Sequence, residues 1–311
     1  MTIIGLAAVL AGLGFVHPAL GHQSTRPAFT HQELEPLLQA LQDEGLPRPF
    51  LNRIFYDARL RKIERVVRLN GVNPDSADRY EQFYGGYAIK KAKRFKRRHF
   101  STLVRVEAEF GIPANIIVAI LLVETQFGTH PLPFRVLEVL TTLVVEANHD
   151  AIARHYKRVK LAYPEIGRVY FTGRVNEKAE WAYGELVALL TMRRHEPASL
   201  FALKGSYAGA FGMPQFLPSS YLRWAVDGNQ DGSVDLDHTT DAIASIANYL
   251  REHGWTDGTP LEEKMGAIWA YNNSNNYVDA IFEISRRMMV PSKKAPRPKI
   301  ALPTSAPKRM D

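Results

Sequence analysis

Apolar residues recur at intervals of three and four along most of the chain, and that spacing predicts helices. Leu34, Leu37, Leu38 and Leu41 make one such stripe, entered through Thr30 with Glu33 three residues on, the pattern of a capping box. Pro47 and Pro49 end it, a second helix begins at 50–56, and the Asn-Gly-Val-Asn-Pro-Asp run at 70–75 reads as a loop. Helical spacing resumes through Tyr80, Phe83, Tyr84 and Tyr87. At 111–128 the pattern changes, because Ile116, Ile117, Val118, Ile120, Leu121, Leu122 and Val123 leave no polar face. A helix apolar all round is a buried one. Pro113 suits its first turn, and Gly128 is expected as its left-handed C-cap.

Beyond Pro131 and Pro133 an apolar helix is expected at 136–145. Residues 148–176, with Tyr163-Pro164, Gly167 and Gly173, are less regular and are read as an excursion of loops or short strands. Helical patterns return at 177–192, 240–253, 261–271 and 277–288, separated by a Gly- and Pro-punctuated stretch at 205–220 and an acidic one at 227–237. Helices so outnumber strands that the fold class is mainly α.

The composition, 311 residues with 46% hydrophobic and 23% charged, is that of a globular chain with one large domain or two. The absence of cysteine excludes thiol catalysis, disulfides, Cys-ligated zinc and a lipid-modified N-terminal Cys. Residues 3–16 are apolar and are followed by Ala19-Leu20-Gly21, a small-x-small pattern suited to signal-peptidase cleavage before His22. Met1-Thr2-Ile3-Ile4 carries no basic residue, which leaves an upstream start or an uncleaved anchor as alternatives. Export to the periplasm or cell envelope is the expectation.

The net charge of +7 is concentrated in two places. One is the cluster Lys90, Lys91, Lys93, Arg94, Lys96, Arg97 and Arg98, and the other is the tail from 292 to 311, too rich in Pro and Lys to build a core and expected to be disordered. Such runs can meet nucleic acid, anionic lipid or a polyanionic wall. The stripe Ile89, Ala92, Phe95 beneath the first favours a solvated helix face, and no nucleic-acid partner is expected.

Candidate chemistry lies in four stretches. Glu124 stands on the last turn of the apolar helix, where burial and the negative end of the helix dipole both disfavour its charge, so its pKa is expected to be raised. A glutamic acid that keeps its proton near neutral pH is a general acid. The second stretch, GSYAGAFGMPQFLPSS at 205–220, places Gly205, Gly209 and Gly212 beside Ser206, Tyr207, Gln215 and Phe216, a mixture of hydroxyl, amide and aromatic groups suited to a carbohydrate. The third, DGNQDGSVDLDHTTD at 227–241, matches positions 1, 3, 5, 6 and 9 of a calcium loop with Asp227, Asn229, Asp231, Gly232 and Asp235. His238 stands where the bidentate Glu belongs; Asp241 could replace it, and Asp237 competes. The fourth, AIWAYNNSNNY at 267–277, sets Trp269, Tyr271 and Tyr277 among asparagines, again sugar-binding chemistry. The ten histidines have no ligand spacing, so no transition-metal site is expected.

VETQFG, GSYAGAFGMPQFLPSSY with AVDGNQDG behind it, DAIASIANYLREHGW and AYNNSNNY, in that order, resemble the lytic murein transglycosylases of the B type. The resemblance covers roughly 80–288. It implies a lysozyme-like helical core with an irregular insertion and an EF-hand-like calcium loop. It also implies cleavage of the MurNAc–GlcNAc β-1,4 bond of peptidoglycan with formation of a 1,6-anhydro-MurNAc end.

Residue by residue, Glu124 matches the family's single acid/base, and Ser206 and Gln215 its active-site serine and glutamine, with Phe216 beside them. Tyr271, Asn272 and Tyr277 match cleft residues, and Trp181 falls where a tyrosine would be usual. Asp227, Asn229, Asp231, Ser233 through its carbonyl, and Asp241 match the calcium ligands. Phe211 replaces a common methionine, and 146–173 departs from the compact pattern of the family.

The expected organisation is a signal or anchor at 1–21, an N-terminal helical region at 22–75, a catalytic domain at 76–290 and a tail at 291–311. No organic cofactor is expected, only structural calcium; the partners are peptidoglycan glycan strands, with peripheral or N-terminal membrane association and a monomeric state. A lysozyme-type hydrolase and a non-catalytic peptidoglycan-binding protein are the alternatives.

Overall fold

The structure, a computed structural model, describes residues 26–72, 76–193 and 196–290. The expected leader at 1–21 and the basic tail from 291 lie outside the described residues. The chain is mainly α, as its periodicity predicts. The helices are α1 (His31–Asp43), α2 (Arg48–Phe55), α3 (Glu64–Gly71), α4 (Asp78–Glu81), α5 (Gly86–Arg98), α6 (Phe100–Phe110), α7 (Ala114–Thr125), α8 (Val136–Val145), α9 (His149–Ala162), α10 (Arg168–Met192), α11 (Pro218–Trp224), α12 (Thr239–Glu252), α13 (Leu261–Tyr271) and α14 (Asn275–Met289). Two short strands, β1 (Phe134–Arg135) and β2 (Lys204–Gly205), pair antiparallel with Phe134 opposite Gly205.

Buried side chains from Phe29 to Met288 join one cluster. Its centre is α7, where every residue but Asn115 is buried. The helices α5, α6, α12 and α14 pack around α7, while α10 packs on α3, α8, α9 and α11. The capping box of α1 is formed, with Thr30 and Glu33 each accepting the other's backbone N–H.

One expectation is corrected. Residues 148–176 are helical apart from a short turn at 163–167, and α10 runs for 25 residues. Asn148 caps α9 by accepting the Ala151 N–H at 3.0 Å, and Ala151, Ile152, His155 and Val159 form its buried stripe. Gly173, taken for a breaker, stands exposed inside α10 with open space where a Cβ would go. A lone exposed Gly costs a helix only about 1 kcal/mol, which the packing of α10 overrides.

No single described helix is long and apolar enough to cross a membrane. Instead the N-terminal helices are tied to the body by a buried polar knot. Lys62 bonds Glu33 from α1 and, at 3.1 Å, Glu146 after α8, while Glu146 also bonds His155 of α9 at 3.0 Å. Burial alone would push Glu146 upward, but the hydrogen bonds from His155 and Lys62 outweigh it and bring its pKa down to about 2. Without Lys62, Glu146 keeps His155 and Arg154 as partners but loses a charged hydrogen bond at Oε1. Lys62→Met is therefore expected to cost about 1.5–3 kcal/mol of stability, read by urea unfolding at pH 7.

Candidate active site

The last turn of α7 carries Glu124, only 1% exposed, and the chain leaves the helix through three consecutive left-handed residues, Gln126, Phe127 and Gly128. The C-cap is Gln126 at φ 50° rather than Gly128, the residue expected from sequence. Left-handed non-glycine residues are strained and persist only where neighbours hold them. Here Thr125 Oγ1 accepts the Gly128 N–H at 2.9 Å, and Phe127 stacks on Phe95 with ring centroids 4.2 Å apart.

The Tyr277 hydroxyl, from α14, donates to Glu124 Oε1 at 2.6 Å. Tyr271, at the end of α13, lies nearly parallel to Tyr277 at 6.3 Å, and Tyr80 meets Tyr277 edge-on at 6.1 Å. Burial in this aromatic shell pushes the Glu124 carboxyl up to about 8; the Tyr277 bond works the other way and loses. Both tyrosines are held well above the ordinary phenol value, first by burial and then by the charge of Glu124, so Tyr277 remains a donor. Glu124 Oε2 is buried with no hydrogen-bond partner.

The loop 205–216 closes over this group. Tyr271 donates to the Pro214 carbonyl at 2.5 Å, and Phe216 packs 6.0 Å from the Tyr271 ring and 5.7 Å from that of Tyr249. Gln215 is left-handed at φ 54°; its Nε2 donates to the Gly212 carbonyl, and its Oε1 is a second buried acceptor without a partner. The glycines serve the loop itself. A Cβ at Gly205 would stand 2.4 Å from the Ala210 carbonyl oxygen, and one at Gly212, φ 70°, would stand 2.4 Å from Leu236 Cβ.

The other predicted site residues are placed differently. Ser206 is fully buried, and its hydroxyl accepts the Ala208 and Ala210 N–H groups at 3.3 and 3.2 Å, holding the loop's own turn. Asn272 is buried at the exit of α13, where its carbonyl accepts the Ser274 N–H at 2.6 Å. Trp181 is half-buried on α10, with Lys178 Nζ 4.7 Å from its ring centroid. Lys178 was missed by sequence reasoning, as was Tyr80, whose helical spacing reads as core.

In the acidic loop Asp227 accepts the Asp231 and Gly232 N–H groups, and Asn229 Oδ1 accepts that of Asp231. Gln230 and Gly232 are left-handed, which lets the chain curl. Asp231 accepts from the backbone and hydroxyl of Ser233. Asp241, 1% exposed, accepts from Gly228 and Asn229 at Oδ1 and from Asp235 at Oδ2. Its carboxylate thus ties 228–229 to 235 across the loop. Among the described residues no group of three or more His, Cys, Asp or Glu is assembled for a metal. The donors present, Asp and Asn oxygens at alternate positions beside the Ser233 carbonyl, are nevertheless of the hard-oxygen kind that calcium takes.

Residues 28–266 match the profile of the Transglycosylase SLT domain family. The chain belongs to this family. It is 33% identical over 208 residues to the membrane-bound lytic murein transglycosylase B of Escherichia coli K12. That alignment takes in 65% of this chain and spans half the length of the relative. Among solved structures, a 36 kDa muramidase/transglycosylase superposes with a TM-score of 0.66 at 25% identity, covering 85% of this chain and 95% of the other. The E. coli lytic transglycosylase SLT35, solved in complex with calcium, gives 0.65 at 24% identity over 87% and 98%. The fold of this SLT domain is therefore the lysozyme-like helical one expected.

In the SLT domain, Met213 joins the acidic loop to the carboxyl group. Its N–H donates to the Leu236 carbonyl at 2.9 Å, and its own carbonyl accepts Thr125 Oγ1, one residue from Glu124, at 2.9 Å.

A carboxyl whose folded pKa is raised supplies stability below its unfolded value, near 4.5, that is lost as pH rises through its folded value near 8. The stability of Glu124→Gln relative to the wild type should therefore rise steadily between about pH 4.5 and about pH 8 and level off above. Denaturant unfolding across that range checks this, and a constant difference would contradict the raised pKa.

Proposed function

We propose that this chain is a peptidoglycan lytic transglycosylase of the cell envelope, in which Glu124 alone serves as acid and base. The observation that carries the reading is the buried, partnerless Oε2 of a carboxyl group held protonated by its surroundings. A buried polar atom left unsatisfied calls for an explanation, and a substrate oxygen is the partner it lacks. The family match and the name of the 33%-identical relative support the substrate and the reaction. Oε2 has almost no exposed surface, so entry of a glycan strand is accompanied by movement of the surrounding side chains.

Hydrolysing glycosidases ordinarily set two carboxyls about the scissile bond. The influences on the Glu124 proton are burial and Tyr277; among the described residues no carboxylate adds to them. One carboxyl suffices when water is not the acceptor. Glu124 delivers its proton from Oε2 to the glycosidic oxygen as oxocarbenium character develops at C1. The resulting carboxylate is steadied by the Tyr277 hydroxyl. It then takes the proton from the muramyl C6 hydroxyl as that oxygen closes on C1, forming the 1,6-anhydro ring and restoring the acid. Phe216, Tyr271 and Trp181 offer apolar faces to the sugar rings, Gln215 Oε1 offers a free acceptor, and Ser206 and Asn272 shape the loops that carry these groups.

The acidic loop is read as a structural calcium site held by Asp227, Asn229, Asp231, the Ser233 carbonyl and Asp241. Its link through Leu236 and Met213 to Thr125 makes a firm loop useful to the acid. Bound calcium would supply positive charge that draws these oxygens together.

Two outcomes are expected. Mass spectrometry of digested peptidoglycan should find anhydro-ended muropeptides from the wild type, and Glu124→Gln should lower their release by at least about a hundredfold with the fold retained. Reducing-end products would point to hydrolysis instead, and binding without products to a wall-binding protein. Millimolar calcium should raise the thermal midpoint of the wild type but not of Asp231→Ala, and an unchanged midpoint would remove the calcium assignment.

A further inference from the structure

Helix α5 carries seven basic residues, and among the described residues no carboxylate pairs with any of them. Lys96 gives its ammonium to Asn115 Oδ1 at 2.8 Å, Lys93 bonds the Val290 carbonyl, and Lys91 bonds Thr129 Oγ1 at 2.8 Å and Gln126 Oε1 at 3.4 Å. The acceptors are neutral in each case. The sequence favoured a merely solvated face, and for the outer residues that holds, since Ile89, Ala92 and Phe95 lie buried beneath them.

Three of the cations do more than face water. Lys91, Arg94 and Arg98 line a cavity of about 280 Å³ together with His99, Phe127 and Thr239, and no Asp or Glu lines it. The floor is aromatic, with Lys91 Nζ 5.9 Å from the Phe127 ring centroid and Phe127 stacked on Phe95. Thr239 is the first residue of α12, a 14-residue helix whose N-cap, His238, makes no side-chain capping bond. Asp241, in the first turn of that helix, offsets the positive end of its dipole, so the cationic rim comes from the side chains of α5. Burial lowers the pKa of Lys91, and burial, with a smaller contribution from the Arg98 charge, lowers that of His99. Phe127 of the wall belongs to the strained turn 126–128 that begins two residues after Glu124, and Thr129 of the wall follows that turn.

We propose that this cavity binds a carboxylate of the stem peptides that peptidoglycan strands carry, seating the peptide while the strand is cut at Glu124. The proposal rests on the transglycosylase reading for the identity of the polymer. A planar carboxylate suits two guanidinium groups beside an aromatic plane, because each Arg can meet it through paired N–H donors. Lys91 would sense the occupant and, through Gln126 and Thr129, brace the turn that positions the acid.

The test uses Arg94→Gln/Arg98→Gln, in which both altered side chains are exposed and the core is untouched. The free stem tripeptide of alanine, D-glutamate and diaminopimelate is titrated calorimetrically against wild type and variant, with inorganic phosphate as a second titrant. The tripeptide should bind the wild type, weaken with added salt, and bind the variant at least about tenfold more weakly, the loss of one or two charge-assisted bonds. Failure to bind the wild type, equal binding to both proteins, or phosphate binding as tight as the peptide would overturn the proposal. In a second arm, kcat/KM is compared on intact strands and on strands stripped of peptides by an amidase. The preference of the wild type for intact strands should fall about tenfold in the variant, and an unchanged preference would also overturn it. A wild type that releases no product from either substrate would instead sink the transglycosylase reading, leaving the titration to judge the cavity.

Discussion

The burial of one carboxyl group is the constraint on which the rest of this structure depends. An ionised carboxylate is costly to take out of water, and the protein meets that cost by keeping the group protonated instead of pairing it. Glu124 has one hydroxyl partner, Tyr277, and an aromatic surround; burial wins, and the carboxyl is held near 8. Glu146, shielded from water but less deeply set, shows the opposite solution. There a lysine and a histidine outweigh burial and the group titrates near 2. Two carboxyls, each 1% exposed, are thus assigned opposite charge states by their neighbours.

Each surrounding device helps to keep Glu124 in place. The all-apolar helix α7 cannot be anywhere but the centre, so its last turn is delivered to the interior by hydrophobic burial alone. Past that turn, strain in Gln126 and Phe127 re-aims the chain within two residues, held by the Phe95 stack on one side and Thr125 on the other. Met213 carries the connection onward, since a single residue bonds both Thr125 and Leu236 and so fixes the loop 205–216 against the acidic loop. Gly212 is required where these meet, because any side chain there would overlap Leu236.

Much of this was legible in the sequence. The period of the apolar residues located the helices, and the loss of any polar face marked α7 as the core, with Glu124 conspicuous at its end. Three features escaped for physical reasons. The excursion at 148–176 looked irregular because Tyr163-Pro164 and Gly173 are local breakers, whereas its helices are fixed by a cap at Asn148 and by packing against α3 and α8. The glycines at 205 and 212 stand among sugar-binding candidates in the sequence, and the close approach they permit is to the protein's own backbone and to Leu236. The hydroxyl partner of Glu124, Tyr277, lies 153 residues away in sequence, and no local pattern names a contact at that range.

The most direct test of the account is an infrared titration of the folded protein, with the Glu124→Gln spectrum subtracted to isolate this carboxyl. The account predicts the carbonyl band of a protonated acid at pH 6 and 7, giving way to carboxylate bands only near pH 8. Carboxylate bands already complete at pH 6 would contradict it, for the group would then be an ordinary ionised glutamate with no proton to give.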